Sequence, residues 1–330
     1  MGVKILTSTR KIYVTRKLPE DIEARLAKHF DVRSWDEEDK PVPRETLLEE
    51  IKDVDGLFCM ITETIDEEVL QAGKRLKVVA NMAVGHNNID VETATANGIT
   101  VTNTPDVLTE TTADLAFALL MASARRLVET SDTLQKGEWG AWSPMQFTGQ
   151  DVFGQTLGIV GLGRIGEAVV KRAKGFDMDV LYYSRTRKKD KESELDIAYA
   201  ELDRLLEKAD FVMLLLPYSS ESHHLIGQRE LALMKENAIL INASRGGIID
   251  EDALYQALAN DEIWGAGLDV YEQEPVPTDH PLLTLSNVTA VPHIGSASVK
   301  TRRAMADLAV DNLIQVLDEK EAVTPVNLLK

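Results

Sequence analysis

The fold of this chain is predicted from one stretch, Leu157-Gly-Ile-Val-Gly-Leu-Gly-Arg-Ile-Gly166. A short apolar run ends in three glycines, helical spacing continues to residue 176, and a second strand is predicted at 179–183. Gly161 permits a tight turn, Gly163 lets a pyrophosphate approach the backbone, and Gly166 lets the helix pack closely on its strand. The helix N-terminus offers N–H groups to phosphates. These features predict a dinucleotide-binding unit, whose glycine turn consists of Gly161, Leu162, Gly163, Arg164, Ile165 and Gly166.

The end of the second strand indicates which dinucleotide binds. Units that select NAD carry Asp or Glu about twenty residues beyond the glycines, where the acid bonds the ribose hydroxyls. This chain has a basic run there instead, which offers a hydroxyl and two guanidinium groups to a 2′-phosphate. One charge-assisted hydrogen bond of about 1.5–3 kcal/mol favours NADP by about tenfold or more. We expect NADP(H) to be preferred over NAD(H), with a solvated basic loop as the alternative, and the predicted contacts are Ser184, Arg185, Thr186 and Arg187.

The composition limits the classes of function. A net charge of −18 in 330 residues argues against nucleic acid or an anionic membrane as the main partner. The single cysteine, Cys59, excludes an internal disulfide and a cysteine-based zinc cluster, which suits a reducing cytoplasm. The sequence has no secretory signal and no apolar run long enough to span a membrane. We therefore expect a cytoplasmic protein with a small-molecule substrate and no metal site.

Short apolar strands alternate with amphipathic helices along the whole chain. This alternation predicts an α/β protein with two doubly wound parallel sheets, one before and one after the glycine turn. A long helix at 109–126 is expected to carry the chain into the second sheet. The amphipathic helix at 299–317 is expected to return it to the first domain.

Two irregular stretches are candidates for binding. Residues 81–88 form a polar, glycine-containing loop after a predicted strand, where backbone N–H groups can form a nest for a carboxylate. An ordinary strand-to-helix loop explains this stretch equally well. Residues 137–154 contain Trp139, Trp142 and Phe147, which are bulky for an exposed loop. They indicate either a surface covered by a second subunit or packing on the parent domain.

Three side chains, Arg245, Glu274 and His293, follow predicted strands of the second sheet. An arginine can hold the carboxylate and carbonyl of a 2-oxo acid with forked donors. A protonated histidine can give a proton to the carbonyl oxygen as hydride arrives, and a carboxylate can orient the imidazole. Taken singly, each residue could be a surface charge or a structural side chain, but their common placement favours catalysis. Spacing alone leaves open whether Glu272 or Glu274 is the carboxylate.

The chain resembles the D-isomer-specific 2-hydroxyacid dehydrogenase family. Within that family it is most similar to the glyoxylate/hydroxypyruvate reductase branch, with 2-ketogluconate reductases close by. The motifs that carry the resemblance occur in order along most of the chain: Val84-Gly85, Thr112-Ala-Asp114, 161–166, 242–247, Gly267-Leu-Asp269, Glu274-Pro275 and Pro292-His-Ile-Gly-Ser296.

The resemblance implies roles for individual residues. Arg245, Glu274 and His293 are the implied catalytic residues, and the position before Pro275 favours Glu274 over Glu272. Val84 and Gly85 are implied to bind the substrate carboxylate with their backbone N–H groups. Trp142 is implied to reach the partner's active site across a homodimer, and Asp269 to hold the nicotinamide carboxamide. The predicted cofactor site further includes Pro217, Ala243 and Ser244.

The resemblance also implies a domain arrangement and an activity. A Rossmann cofactor domain at 105–291 is expected to be inserted into a flavodoxin-like substrate domain formed by 1–104 and 292–330. The expected reaction is NADPH-dependent reduction of glyoxylate and hydroxypyruvate to glycolate and D-glycerate. One alternative is 2-ketogluconate reduction in the same site. A nucleotide-sensing transcriptional corepressor is the non-enzyme alternative, and the complete catalytic trio argues against it.

Overall fold

The computed structural model describes residues 10–329, which divide into two units. The terminal unit comprises the described residues up to Leu108 together with those from Ser298 onward, and the central unit is Thr109–Ala297. Both divisions lie a few residues beyond the predicted boundaries at 104/105 and 291/292. Consequently His293 belongs to the central unit.

The first part of the terminal unit forms a five-stranded parallel sheet in the order β2-β1-β3-β4-β5. Asp66 and Asp90 begin two of its helices, because their carboxylates accept the backbone N–H of Val69 and Thr93. The strands are β1 (Lys11–Val14), β2 (Asp31–Ser34), β3 (Gly56–Cys59), β4 (Val78–Asn81) and β5 (Thr100–Thr102), and the helices are α1 (Glu20–Ala27), α2 (Arg44–Glu50), α3 (Glu67–Ala72) and α4 (Val91–Ala96).

The central unit contains a seven-stranded parallel sheet in the order β12-β11-β10-β9-β6-β7-β8. The order reverses between β6 and β9, and this switch point is where open sheets of this kind bind ligands. The strands are β6 (Thr156–Val160), β7 (Asp179–Tyr183), β8 (Ala198–Tyr199), β9 (Phe211–Leu214), β10 (Ile239–Asn242), β11 (Gly265–Leu268) and β12 (Val288–Ala290). The helices are α5 (Thr109–Ala124), α6 (Leu127–Gln135), α7 (Arg164–Lys174), α8 (Lys189–Leu195), α9 (Leu202–Lys208), α10 (Gln228–Leu231) and α11 (Glu251–Ala259).

The last helix, α12 (Val299–Leu317), belongs to the terminal unit and packs on β3 and β4. Its buried face, which includes Ala306, Val310 and Leu313, joins the apolar cluster on one side of the five-stranded sheet. A second cluster, formed with α2, α3 and α4, covers the other side. The seven-stranded sheet likewise has one apolar cluster on each face. Both sheets are therefore doubly wound, which confirms the predicted fold class.

No helix within residues 10–329 has the length and apolar character needed to cross a membrane.

The structure contains elements that the sequence reading did not assign. β2 is a polar edge strand with only Val32 half-buried, so it lacks the apolar alternation that signals a strand. α6 has no buried residue, and its apolar side chains are exposed. α8 begins within the basic run, for which the sequence predicted no helix.

Candidate active site

The glycine turn has the geometry that a dinucleotide requires. Gly161 has a φ of +101°, and a Cβ there would lie 2.7 Å from the Leu215 carbonyl group. A Cβ on Gly166 would lie 2.8 Å from the Gly161 oxygen, so only glycine allows α7 to approach β6 this closely. A Cβ on Gly163 would meet no described atom within 4 Å, which leaves the backbone there open to a ligand.

The N-terminus of α7 supplies the complementary charge. Gly163 is the N-cap and no side chain caps the helix, so its first N–H groups point towards the open face of the turn. Leu162 is buried and Ile165 half-buried, whereas Arg164 is exposed beside the turn. These residues fit the pyrophosphate of a dinucleotide.

The basic run after β7 forms a turn in which the Ser184 hydroxyl donates to the Thr186 carbonyl oxygen at 2.7 Å. The side chain of Arg185 is exposed and lies 3.2 Å from a carboxylate oxygen of Glu221. Surface ion pairs of this kind contribute little and are readily exchanged for another anion. Arg185 is therefore available to a phosphate.

Arg187, in contrast, is held within the protein. Its guanidinium donates to both carboxylate oxygens of Glu192 at 2.7 Å and lies over the Tyr199 ring. The hydrogen bond from Arg187, opposed by some burial and helped by the Tyr182 hydroxyl, lowers the pKa of Glu192 to about 2. The sequence predicts that Arg185 and Arg187 both contact a 2′-phosphate. In the structure, Arg187 is already paired with Glu192.

The other predicted cofactor residues lie where β9 and β10 end. Pro217 is exposed after β9, and its carbonyl oxygen accepts the Ser222 hydroxyl. Ala243 and Ser244 follow β10 and are half-buried. The Ser244 hydroxyl donates to the carbonyl oxygen of Leu216, which ties the two strand ends together.

The structure brings Glu274 and His293 into direct contact. Their Oε2 and Nδ1 atoms are 2.6 Å apart, a distance typical of a charge-assisted hydrogen bond. Burial would raise the pKa of Glu274, but the hydrogen bond and charge of His293, the Tyr271 N–H and the charge of Arg245 outweigh it. The pKa of Glu274 is therefore lowered from its usual value. The carboxylate is ionised at neutral pH and can stabilise an imidazolium.

Arg245 is half-buried beside this pair. Its Nη1 donates to the Ser244 carbonyl oxygen at 2.7 Å, which directs the guanidinium along its own turn. Burial lowers the pKa of Arg245, and the charges of Glu274 and Asp269 oppose that shift. An arginine retains its charge despite such a shift, so a guanidinium cation lies beside the carboxylate that contacts His293.

Asp269 organises the segment that carries His293. It is buried, and its two oxygens accept the Ile294 N–H at 2.6 Å and the Gly295 N–H at 2.9 Å. Burial raises the pKa of Asp269, while those N–H groups and the charge of His293 lower it, and the net shift is upward. His293 itself has a φ of +50°, and its N–H donates to the Asp269 carbonyl oxygen at 2.9 Å. This support holds the left-handed backbone in place.

Glu272, the alternative carboxylate, faces a different histidine. Its Oε1 lies 2.6 Å from Nε2 of His224, a residue for which the sequence suggested no carboxylate partner. The ring of His224 also stacks on that of His223. Among residues 10–329, no group of three or more His, Cys, Asp or Glu side chains is arranged to hold a metal ion.

The loop that follows β4 leaves two adjacent backbone donors unpaired. Within the described chain, neither the Val84 nor the Gly85 N–H has an acceptor, whereas both of their carbonyl oxygens are bonded. Asn103 donates to the Val84 oxygen and Asn81 to the Gly85 oxygen. The loop is thus fixed while its N–H groups remain available to an anion. His86, next in sequence, is exposed.

The loop that contains the tryptophans is exposed, with Trp142 76% accessible. Together with α6 it forms an apolar groove of about 460 Å³. The groove lining includes Leu127, Leu134, Trp139, Trp142 and Phe147. Packing on the parent domain, one of the two sequence-based explanations, therefore leaves Trp139 and Trp142 exposed, whereas Phe147 is half-buried.

Several residues that shape the site carry no local sequence signal. Glu192 and Glu221 contact the two arginines of the basic run from positions that no motif marks. Glu63 is buried in the terminal unit and accepts the Thr15 hydroxyl and the Met60 N–H, and its carbonyl oxygen accepts the side-chain N–H of Asn88 in the loop that follows β4. Only their three-dimensional contacts identify them.

Comparison with known proteins identifies related chains. The family model for the NAD-binding domain of D-isomer-specific 2-hydroxyacid dehydrogenases matches residues 117–295. That range contains the glycine turn, Arg245, Glu274 and His293.

Two relatives match over nearly all of this chain and of their own length. Glyoxylate reductase from Korarchaeum cryptofilum is 50% identical over 320 residues, which cover 97% of this chain and 95% of the relative. Glyoxylate reductase from Thermococcus gammatolerans is 50% identical over 321 residues, which cover 96% of each chain. A crystal structure of NADPH-dependent glyoxylate/hydroxypyruvate reductase from Sinorhizobium meliloti, in complex with NADP and malonate, is 35% identical with a TM-score of 0.86. The match covers 97% of this chain and 97% of the Sinorhizobium meliloti chain.

Proposed function

Because the chain belongs to the D-isomer-specific 2-hydroxyacid dehydrogenase family, we propose that it reduces glyoxylate and hydroxypyruvate with NADPH. The products are glycolate and D-glycerate. The chain is a nicotinamide-dependent oxidoreductase of that family, and the names of its relatives support these two substrates. The observation that carries the mechanism is the 2.6 Å contact between Glu274 and His293 beside the Arg245 guanidinium.

Arg245 binds the 2-oxo acid in this proposal. Its guanidinium donates to the substrate carboxylate and to the carbonyl oxygen, so it both neutralises the acid and polarises the carbon to be reduced. The requirement for a carboxylate next to the carbonyl follows from these two Arg245 contacts. Val84 and Gly85 are proposed to offer their backbone N–H groups to a substrate carboxylate, which their lack of acceptors among the described residues supports.

His293 is the proposed proton donor. A nicotinamide cofactor held by the glycine turn would supply the hydride. The imidazolium of His293 gives its Nε2 proton to the substrate carbonyl oxygen. Glu274 accepts the Nδ1 hydrogen, which fixes the orientation of the ring and stabilises its charged form. Proton and hydride together convert the 2-oxo acid to a 2-hydroxy acid, and His293 then takes a proton from solvent.

The cofactor preference is proposed to depend chiefly on Arg185. Its exposed guanidinium, the Ser184 hydroxyl and the Thr186 backbone belong to the turn after β7, about twenty residues beyond the glycines, where units of this class contact the ribose. In this arrangement Arg187 supports the turn through Glu192. Asp269 retains lone pairs beyond its two backbone contacts, which can accept from the nicotinamide carboxamide.

We further infer a homodimer, in which the groove formed by α6 and residues 137–150 meets its copy. A groove with two exposed tryptophans and two exposed leucines is unusual for a monomer surface, and aromatic side chains are enriched at such interfaces. Trp142 then reaches the substrate site of the other subunit.

The activity is tested with a panel of 2-oxo acids, followed by the absorbance of the reduced cofactor. Glyoxylate and hydroxypyruvate should be reduced with NADPH, at higher kcat/KM than pyruvate or 2-ketogluconate, and less efficiently with NADH. A higher kcat/KM for 2-ketogluconate would replace the proposed substrate. If NADPH binds but no 2-oxo acid is turned over, the enzyme proposal is wrong and a nucleotide-sensing role is favoured.

A further inference from the structure

The residues that carry Glu274 form a loop after β11, here termed the Glu274 segment (residues 271–280). It has no regular secondary structure, so its shape depends on individual contacts. Two hydrogen bonds are internal: the Tyr271 N–H donates to Oε1 of Glu274 at 3.1 Å, and the His280 N–H donates to the Pro277 carbonyl oxygen at 3.0 Å. The others tie the segment to neighbouring elements.

One carboxylate outside the segment bonds both of its ends. Glu251, the first residue of α11, accepts the Glu272 N–H on Oε1 at 2.9 Å. Its Oε2 lies 3.1 Å from Nε2 of His280. Glu251 thus spans the stretch that contains Glu274 without touching Glu274 itself.

The surroundings of Glu251 are those of a fixed anchor. Its side chain is only 12% exposed, and His280 is also largely buried. Burial raises the pKa of Glu251, while the Glu272 N–H and His280 lower it, and the net shift is upward. The other ring nitrogen of His280, Nδ1, is buried without a partner among the described residues, so the contact with Glu251 is the polar contact that orients the His280 ring. A buried carboxylate with these two partners is costly to disturb.

The anchor also joins two catalytic segments. A Cβ on Gly246, next to Arg245, would lie 1.8 Å from the Tyr271 carbonyl carbon, so the Arg245 turn packs directly on the start of the Glu274 segment. The chain then runs through a short 3₁₀ turn to α11, where Glu251 reaches back to the same segment. Arg245 and Glu274 therefore share one rigid support.

We propose that Glu251 is a positioning residue for the reaction, acting through His280 and the Glu272 backbone to hold Glu274 against His293. A 2.6 Å hydrogen bond tolerates little displacement, and catalytic groups must be held to within about 0.5 Å. Loss of the anchor lets the Glu274 segment move, so His293 loses the carboxylate that orients it. This inference rests on the proposed function, in which Glu274 and His293 act as a pair.

The test substitutes Glu251→Gln, which keeps the side-chain size and one acceptor oxygen but replaces the other oxygen with an amide N–H₂ and removes the negative charge that faces His280. We expect kcat for glyoxylate reduction to fall about tenfold to a hundredfold, with KM for NADPH within about twofold of wild type. The second readout is the downfield proton NMR signal of the Nδ1–H of His293, assigned by its loss in His293→Asn. In Glu251→Gln this signal should move upfield or broaden away.

The matched control is Glu230→Gln. Glu230 is also a carboxylate at the start of a helix, is 16% exposed, and accepts a backbone N–H from Gly227, but it contacts no catalytic segment. This variant should keep both kcat and the NMR signal. A second variant, His280→Gln, removes only one of the two anchor contacts and should show a smaller change in the same direction. It replaces Glu251→Gln as the test if that protein does not fold.

Three results would overturn the proposal: an unchanged kcat and signal in Glu251→Gln, an equal loss in Glu230→Gln, or an effect confined to KM. Failure of the proposed function is distinguishable from these results. In that case the wild-type enzyme turns over neither glyoxylate nor hydroxypyruvate, whereas the NMR signal still reports whether Glu251 holds Glu274 on His293.

Discussion

His293 combines a proposed chemical role with an unusual backbone. Its φ of +50° lies in the left-handed region, where Asn and His are tolerated better than other side chains. Substitution therefore has two separable effects, the loss of the imidazole and the strain of the replacement residue. His293→Asn removes the proton donor with a side chain that tolerates this backbone, whereas His293→Ala adds backbone strain.

We predict that both variants lose about 10²–10⁴-fold in kcat for glyoxylate reduction, because neither can donate the proton. The affinity for NADPH should stay near the wild-type value in both. His293→Ala should in addition have the lower Tm, by an amount that corresponds to about 1 kcal/mol of left-handed backbone strain. Turnover, cofactor fluorescence titration and thermal melting check the three parts. Substantial activity in His293→Asn would show that His293 is not the proton donor.

The set Arg245, Glu274 and His293 could be proposed from the positions of these residues in the sequence, but spacing alone could not pair Glu274 with His293. Arg245, Glu274 and His293 each follow a strand of one parallel sheet, and that position is readable from apolar runs and turns. The choice between Glu272 and Glu274 depends on which carboxylate meets which histidine. Residues two apart in a loop have no fixed faces, so spacing carries no information on this choice. In the structure, the two carboxylates contact His224 and His293.

At the scale of elements, the turn between β7 and α8 decides the cofactor preference in the proposed function. Arg185 points to solvent, and Arg187 is paired with Glu192 on α8. We predict that Arg185→Ala raises KM for NADPH about tenfold or more and leaves KM for NADH unchanged, because only NADPH carries the 2′-phosphate. Arg187→Ala should affect both cofactors to a similar and smaller extent, since it loosens the turn.

Steady-state kinetics with the two cofactors check this division of roles. Arg204→Ala is the matched control, because Arg204 is also an exposed arginine paired with a glutamate, and it lies on α9. It should change neither KM. An equal increase for NADH and NADPH in Arg185→Ala would contradict the assignment of Arg185 to the phosphate.

The sequence predicted the strands and helices that bury an apolar face and missed those that do not. β6 and α7 have the apolar runs and glycines that their packing requires, and their positions were predicted closely. β2 lies at a sheet edge with polar side chains, and α8 consists mainly of charged residues, so neither has the periodicity on which the prediction depends. The pairing of Arg187 with Glu192 was missed for that reason, because it required knowing that α8 exists.

At the scale of the whole molecule, the inferred homodimer depends on side chains that the single chain leaves exposed. Leu134 on α6 is 60% exposed and lines the groove, and nothing within the described residues covers it. Burying a leucine contributes about 1.5–3 kcal/mol. In a twofold interface each substitution occurs twice, so a buried charge at this position is penalised on both sides. A stable interface of ordinary size does not tolerate two such changes.

We therefore predict that the wild-type chain is a dimer in light scattering coupled to gel filtration, and that Leu134→Asp is a monomer. Val299→Asp is the matched control, because Val299 is an apolar residue 79% exposed but lies outside the groove. It should remain dimeric.

If Trp142 completes the partner's site, the monomer should show a raised KM for glyoxylate while its affinity for NADPH is unchanged, since the glycine turn and the basic run belong to one chain. A monomeric wild type, or a dimer that survives Leu134→Asp, would contradict the interface. A monomer with unaltered kinetics would show that the active site does not depend on dimerisation and that Trp142 is not part of it.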